Sequence, residues 1–139
     1  MHNNNDVDYN DEGLIIDCLS GQAIKDTPEE RVRQRFIKIL QSDYGYPKDC
    51  ILREIPVQSG SSILTNESDG SPIRADIVVY KDKRAALRKD QGNILFVVEC
   101  KKPNVTEGYT QLVSYIFNTS AVGGVWTNGE GISVYKKTK

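Results

Sequence analysis

Glu99 and Lys101 stand two residues apart at the end of an apolar run, Ile94-Leu95-Phe96-Val97-Val98, and a second carboxylate, Asp76, interrupts another such run, Ile73 to Tyr80. Side chains on a strand alternate faces. Val97, Glu99 and Lys101 therefore project to one side of their strand and Phe96, Val98 and Cys100 to the other. By the same rule Asp76, Val78 and Tyr80 share a face opposite Ala75, Ile77 and Val79. A carboxylate buried in such a run is costly unless something cationic meets it, whether Lys101, an arginine or a metal ion. A structural ion pair at the strand mouth is the plainer reading beside chemistry. If the two strands are neighbours, however, both carboxylates converge at one sheet edge, where they repel unless a cation sits between them. Mg²⁺ suits that place. It takes one or two carboxylates plus waters and phosphate oxygens, polarises a phosphodiester and lowers the pKa of a bound water. Lys101 is placed to orient or help deprotonate that water, or to neutralise charge on a pentavalent transition state.

Composition limits the alternatives. A chain of 139 residues fits one domain with a continuous core, without disulfides or a structural metal. Its 38% hydrophobic and 27% charged residues are ordinary for a folded soluble protein. No apolar run is long enough to span a bilayer, and Met-His-Asn-Asn-Asn-Asp has neither the basic nor the apolar region of a signal peptide, so the expectation is a cytoplasmic protein with no membrane partner. Cys18, Cys50 and Cys100 are widely spaced and odd in number, which writes neither a disulfide framework nor a Cys-x-x-Cys zinc site. Cys100 is expected as a buried small hydrophobe. The lone His2 lies in a polar tail, so a metal bound by side chains would be a hard ion held by oxygens. The net charge of -1 does not advertise nucleic-acid binding by the whole chain. Basic residues nevertheless cluster at Arg31, Arg33, Arg35 and Lys38, from Lys81 to Lys89, and at Lys136, Lys137 and Lys139; these read equally as local patches or as solvated faces.

The elements that must position Asp76, Glu99 and Lys101 follow in order. Residues 1–12 read as a disordered tail and 13–139 as the domain. Leu14 to Leu19 is an edge strand or a segment crossing the core. Thr27-Pro28-Glu29-Glu30 starts a helix running to about Asp43, with Thr27 as N-cap, Glu30 placed for a capping box and Gly45 at the C-terminal end. Val32, Phe36, Ile39 and Leu40 form its buried stripe, with Glu30, Gln34 and Ile37 on an adjoining face. Ile51 to Val57 is a strand whose Pro56 argues for an edge or a bulge. Gln58 to Pro72 is a loop or hairpin tip, Ile73 to Tyr80 a strand, and Arg84 to Arg88 a helical turn. After the Glu99 strand, Asn104 or Thr106 caps a second long helix with Tyr109, Leu112, Val113, Ile116 and Phe117 on its apolar stripe and Gln111, Ser114 and Tyr115 on a polar flank. Two strands joined by Asn128-Gly129-Glu130-Gly131 close the chain. The order predicts an α/β fold, a mixed sheet flanked by helices in a single domain.

Asp76 followed by Glu99-Cys100-Lys101 resembles the PD-(D/E)xK nuclease signature. Thr27 to Gln34, Arg74 to Tyr80, Val98 to Pro103 and Thr127-Asn128-Gly129 together look like the N-terminal nuclease domain of type I restriction enzyme R subunits, over nearly all of the chain from Leu14 to Tyr135. The resemblance implies a restriction-endonuclease-like fold and Mg²⁺-dependent hydrolysis of DNA phosphodiesters, with Mn²⁺ as a substitute ion. It assigns metal ligation to Asp76, Glu99 and the Cys100 backbone carbonyl, and catalysis to Lys101. Gln111 and Tyr115 match a Gln-x-x-x-Tyr element that supports the site and touches DNA. An acidic residue of the first helix completes the site in many relatives; Glu30 is the candidate, with Glu29 and Gln34 close by. Ala75 stands where the signature has proline.

DNA is the implied partner, together with further domains or subunits of a restriction-modification system. Cutting both strands with one site per chain requires two chains, as in a homodimer, or two encounters. R subunits also carry an ATP-driven motor, and this chain contains no Gly-x-x-x-x-Gly-Lys-Ser/Thr loop for one. The competing reading is a catalytically silent DNA-binding or interaction module of the same fold within a larger restriction-modification protein.

Overall fold

The computed structural model describes residues 6–137, and its first element is a small hairpin of β1 (Ile15–Ile16) and β2 (Ala23–Ile24). Of the stretch expected as a tail, residues 1–5 lie outside the described residues. The rest lies along the domain: Val7 is buried, Tyr9 bridges Ile15, and Lys38 Nζ donates to Asp8 Oδ2 at 2.7 Å. The Asn- and Asp-rich composition that reads as a tail supplies acids here for basic residues of the first helix.

That helix, α1 (Pro28–Ser42), begins as its capping residues dictate, with Thr27 Oγ1 accepting from Glu30 N at 3.0 Å and Pro28 in the first turn. Its C-cap is Asp43, not Gly45. Val32, Phe36 and Leu40 are buried as the spacing predicts, and Ile39 is only half-buried. Glu30, Arg33, Gln34 and Ile37 are buried as well. They follow the spacing i, i+3, i+4, i+7, so a mostly polar stripe faces inward beside the apolar one.

One five-stranded mixed sheet, ordered β3-β6-β7-β8-β9, carries the domain. Its strands are β3 (Ile51–Pro56), β6 (Arg74–Tyr80), β7 (Ile94–Cys100), β8 (Gly123–Thr127) and β9 (Ile132–Lys136), with the outlying hairpin β4 (Gln58–Ser59) and β5 (Ser62–Ile63) between β3 and β6. Among the described residues only β7 and β8 run parallel, and α3 (Tyr109–Asn118) makes the crossover between them. The short α2 (Lys83–Arg88) joins β6 to β7. Pro56 lies on an edge strand, where a missing N–H costs little. The sheet separates two clusters. Val32, Phe36, Ile37 and Leu40 of α1 pack with Ile77, Val79, Val98 and Cys100, while Leu112, Tyr115 and Ile116 of α3 pack with Val78, Tyr80 and Val97. The expected α/β class with helices flanking a mixed sheet is the observed one.

Two expectations for α3 are corrected. Its N-cap is Gly108, at φ 106° and without a capping side chain, rather than Asn104 or Thr106. Its sheet-facing stripe is Leu112, Tyr115 and Ile116, whereas Tyr109 and Phe117 are exposed. The helix is rolled toward its expected polar flank because the Tyr115 hydroxyl finds a partner: it donates to the Arg74 carbonyl at 2.9 Å, which lets the ring enter the core. Tyr115 is thus a core residue with 1% exposure, contrary to its reading as a flank residue free to touch DNA. Tyr115→Phe keeps the ring and removes that bond, so a loss of ~1 kcal/mol is expected in chemical denaturation. A loss of several kcal/mol would contradict the placement.

Candidate active site

β6 and β7 are antiparallel, with Ile77 opposite Val98 and Val78 opposite Val97. Beyond Ile77 and Val98 the strand pairing ends, and Asp76 and Glu99 meet through their side chains, which share a hydrogen bond. Both carboxylates are almost fully buried, at 7% and 2% exposure. Asp76 Oδ2 accepts the Cys100 amide at 2.7 Å, and Lys101 Nζ lies 3.6 Å from Glu99 Oε2. Burial pushes the Glu99 carboxyl up to about 10, helped by the hydrogen bond and charge of Asp76 and opposed by Lys101. One acid of this pair therefore keeps its proton at neutral pH, the behaviour of two carboxyls forced to share a site. The structure thus brings Asp76, Glu99 and Lys101 together. The Cys100 side chain faces the α1 cluster and is fully buried.

The loop from Lys101 to Gly108 roofs the pair, and the Thr127-Asn128-Gly129 segment ties it down. Lys101 N donates to Thr127 O at 2.9 Å, Asn128 Nδ2 to Val105 O at 2.9 Å, and Trp126 Nε1 to Glu107 O at 2.7 Å. This delivers Gly108 onto Glu99 and Lys101. A Cβ there would stand 2.6 Å from Lys101 Cε and 3.3 Å from Glu99 Oε2, at a φ that L-residues rarely adopt. Gly108→Ala is expected to displace the Lys101 side chain and to lower the melting temperature, by ~1 kcal/mol or more in stability. An unchanged melting temperature would show that the roof yields freely.

The first helix contributes its buried polar stripe. Arg33, at 5% exposure, donates through Nη2 to Asp76 Oδ1 at 2.7 Å and through Nη1 to Glu30. Burial works against its charge, but Asp76 and Glu30 together leave its pKa raised. Glu30 is fully engaged. Its Oε1 accepts from both Arg33 and Arg53, and its Oε2 accepts from Gln34 Nε2 at 3.1 Å. Gln34 also donates to Asp17 Oδ1 and accepts from Cys18 N, both at 2.9 Å, so it ties the loop between β1 and β2 to α1. Glu29 stands differently. It is half-buried, 3.5 Å from Arg33 Nη2, and its pKa is raised by burial and by Asp76, with Arg33 and Lys101 opposing. Of the first-helix candidates, Glu29 faces the Asp76 and Lys101 charges while Glu30 and Gln34 anchor the helix. Glu54 lies abreast of Asp76 on β3, between the pairs Arg53–Ile77 and Ile55–Ala75, with φ 53°. That strained backbone turns a fifth carboxylate toward Arg33, at 3.7 Å.

The sequence pattern puts Arg33 in a basic cluster that reads equally as a local patch or a solvated face, and assigns Arg53 no role. The signal for Arg33 was its place between Glu30, Gln34 and Ile37 on one helical face. Gln111 is half-buried in the first turn of α3. Glu29, Glu30, Arg33, Arg53, Glu54, Lys25 and Lys102 line one cleft of about 550 Å³ beside the pair.

The donor chemistry fits a hard divalent cation: two buried carboxyls meet, and burial together with Asp76 pushes the Glu99 carboxyl up. Among the described residues no group of three or more His, Cys, Asp or Glu side chains is arranged to hold a metal. The side-chain set is a pair, which suits Mg²⁺ because that ion keeps several of its waters. The family model for the type I restriction enzyme R protein N terminus matches residues 28–139, a span from α1 through β9 that contains Asp76, Glu99 and Lys101 and the buried polar stripe of α1. No curated protein and no solved structure matches the chain.

Proposed function

We propose, from the premise that the chain belongs to the family of type I restriction enzyme R protein N termini, that it is the DNA-cleaving domain of a restriction-modification system. In this reading it is a PD-(D/E)xK endonuclease of restriction-endonuclease-like fold that hydrolyses DNA phosphodiesters with Mg²⁺. The observation that carries it is the meeting of the buried Asp76 and Glu99 carboxyls between β6 and β7, with Lys101 at 3.6 Å from Glu99.

Asp76, Glu99 and the Cys100 carbonyl would hold the ion, and Glu29 would add negative charge beside Asp76. Bound there, Mg²⁺ supplies Lewis-acid polarisation of the phosphate and a bound water acidified toward hydroxide. The remaining work falls to this chain's own groups. The Cys100 amide and Arg33 fix the two oxygens of Asp76. Glu99 would have to release its proton to hold a cation, so cation and proton would compete for one carboxyl. Lys101 orients the attacking water and meets the negative charge that develops on the phosphoryl oxygens. Gly108 keeps the space above Glu99 and Lys101 free of side chain. Gln111, half-buried in the first turn of α3, would touch DNA, while Tyr115 braces the helix against the Arg74 carbonyl of β6. Lys25 and Lys102, exposed on the cleft wall, are placed for the phosphate backbone. Conversion of supercoiled to nicked DNA in Mg²⁺, and its suppression by a chelator, tests this reading; a folded chain that converts none contradicts it.

A further inference from the structure

Arg33 occupies a seat that the reaction would need. Its Nη2 lies 2.7 Å from Asp76 Oδ1, and its guanidinium is pinned between Glu29, Glu30 and Glu54 as well. A carboxylate oxygen has two lone pairs, so Asp76 can accept Arg33 and still face a cation. It cannot do so without placing a fixed positive charge against the incoming ion. The surroundings reinforce that charge: Arg53 and Lys101 flank the same carboxyls, and Lys25 and Lys102 stand on the cleft wall. With Glu99 holding its proton, these cations stand against four carboxylates, Glu29, Glu30, Glu54 and Asp76, so the site has no excess of negative charge before any ion arrives. For a divalent ion a few ångströms away, the repulsion from Arg33 outweighs what one hydrogen bond gains by orienting Asp76.

We infer that Arg33 competes with the divalent cation for Asp76 and holds the DNA-free site at low cation affinity. This rests on the metal-dependent reading above and adds to it a built-in restraint on the same site. A phosphate of bound DNA supplies the negative charge that Arg33 cancels, so the restraint weighs least when substrate is in place.

The test is titration of the full chain with Mn²⁺ alone, by calorimetry, with melting curves as a check on folding. Arg33→Gln keeps amide donors for Asp76 and Glu30 and removes the charge; Arg33→Met removes both; Arg33→Lys keeps the charge. Both neutral variants are expected to bind Mn²⁺ about tenfold or more tightly than wild type, and Arg33→Lys to stay within about threefold of it. Either neutral variant, if it folds and binds no more tightly than wild type, overturns the inference. If that happens while wild type nicks DNA in Mg²⁺, only the restraint is lost and the nuclease reading stands. If wild type and neutral variants alike take up no Mn²⁺, both fall together.

Discussion

Lys101→Met is expected to fold, to bind Mn²⁺ and DNA, and to lose nicking activity by ~10²–10⁴-fold, the loss typical of removing a positioned proton-transfer or charge-stabilising group. Two accounts of Lys101 diverge on this variant. As a counter-ion it would neutralise a buried Glu99, and deleting one partner of a buried pair costs roughly 3 kcal/mol or more. The Glu99 carboxyl, however, is pushed up to about 10 and holds its own proton at neutral pH, so it presents little charge to neutralise. Lys101 is also a quarter exposed, and its nitrogen stands 3.6 Å from Glu99, beyond a hydrogen bond. The methionine keeps the apolar stem that passes under Gly108. Stability should therefore change by no more than about 0.5 kcal/mol, the size seen at surface positions. A melting temperature far below wild type, with or without Mn²⁺, would restore the ion-pair account.

Glu99→Gln is expected to abolish Mg²⁺-dependent nicking and to raise the melting temperature of the metal-free protein at alkaline pH. In the unfolded chain a glutamate titrates at about 4.3; in the folded chain burial and the neighbouring Asp76 push the Glu99 carboxyl up to about 10. Between those values the folded state holds a proton that the unfolded state has released. Stability must then fall as pH rises through that window, and it levels off above the folded value. Glutamine carries no such proton, so the variant should lose this part of the pH dependence. Added Mn²⁺ should stabilise wild type most where the proton is bound least firmly, and should leave Glu99→Gln nearly unmoved. Melting curves from pH 5 to 9, with and without Mn²⁺, check both halves. Parallel pH profiles for wild type and variant would show that Glu99 is not the strained group.

Much of this was legible before any coordinates. Alternation along Ile94 to Lys101 was enough to bring Glu99 and Lys101 together. Along Ile73 to Tyr80 it holds from Ile77 onward, whereas Ala75 packs with Val78 and Tyr80 and Asp76 reaches Arg33 of α1. The Thr27-Pro28-Glu29-Glu30 start of α1 was equally plain, since capping chemistry is local. What escaped depended on packing across the sheet. Arg33 looks like one more member of a basic cluster until Asp76 and Glu30 are seen on either side of it. Tyr115 looks like the polar flank of an amphipathic helix, and only the Arg74 carbonyl on β6 makes its burial affordable. Gly108 is an unremarked glycine in a polar loop until that loop is folded over Lys101. Glu29 and Glu30 are adjacent and chemically identical, and their division of labour follows from Arg53 and Gln34 having already claimed the second of them.

The central claim, that Asp76, Glu99 and Lys101 form a metal-dependent phosphodiesterase site, is tested most directly by one gel. Supercoiled DNA is incubated with wild type, Glu99→Gln and Lys101→Met in Mg²⁺, and with wild type in chelator, with each protein shown to be folded under the same conditions. The account predicts nicked circles for wild type in Mg²⁺ alone. Equal nicking by Lys101→Met, or none by a folded wild-type chain that binds the DNA, would contradict it.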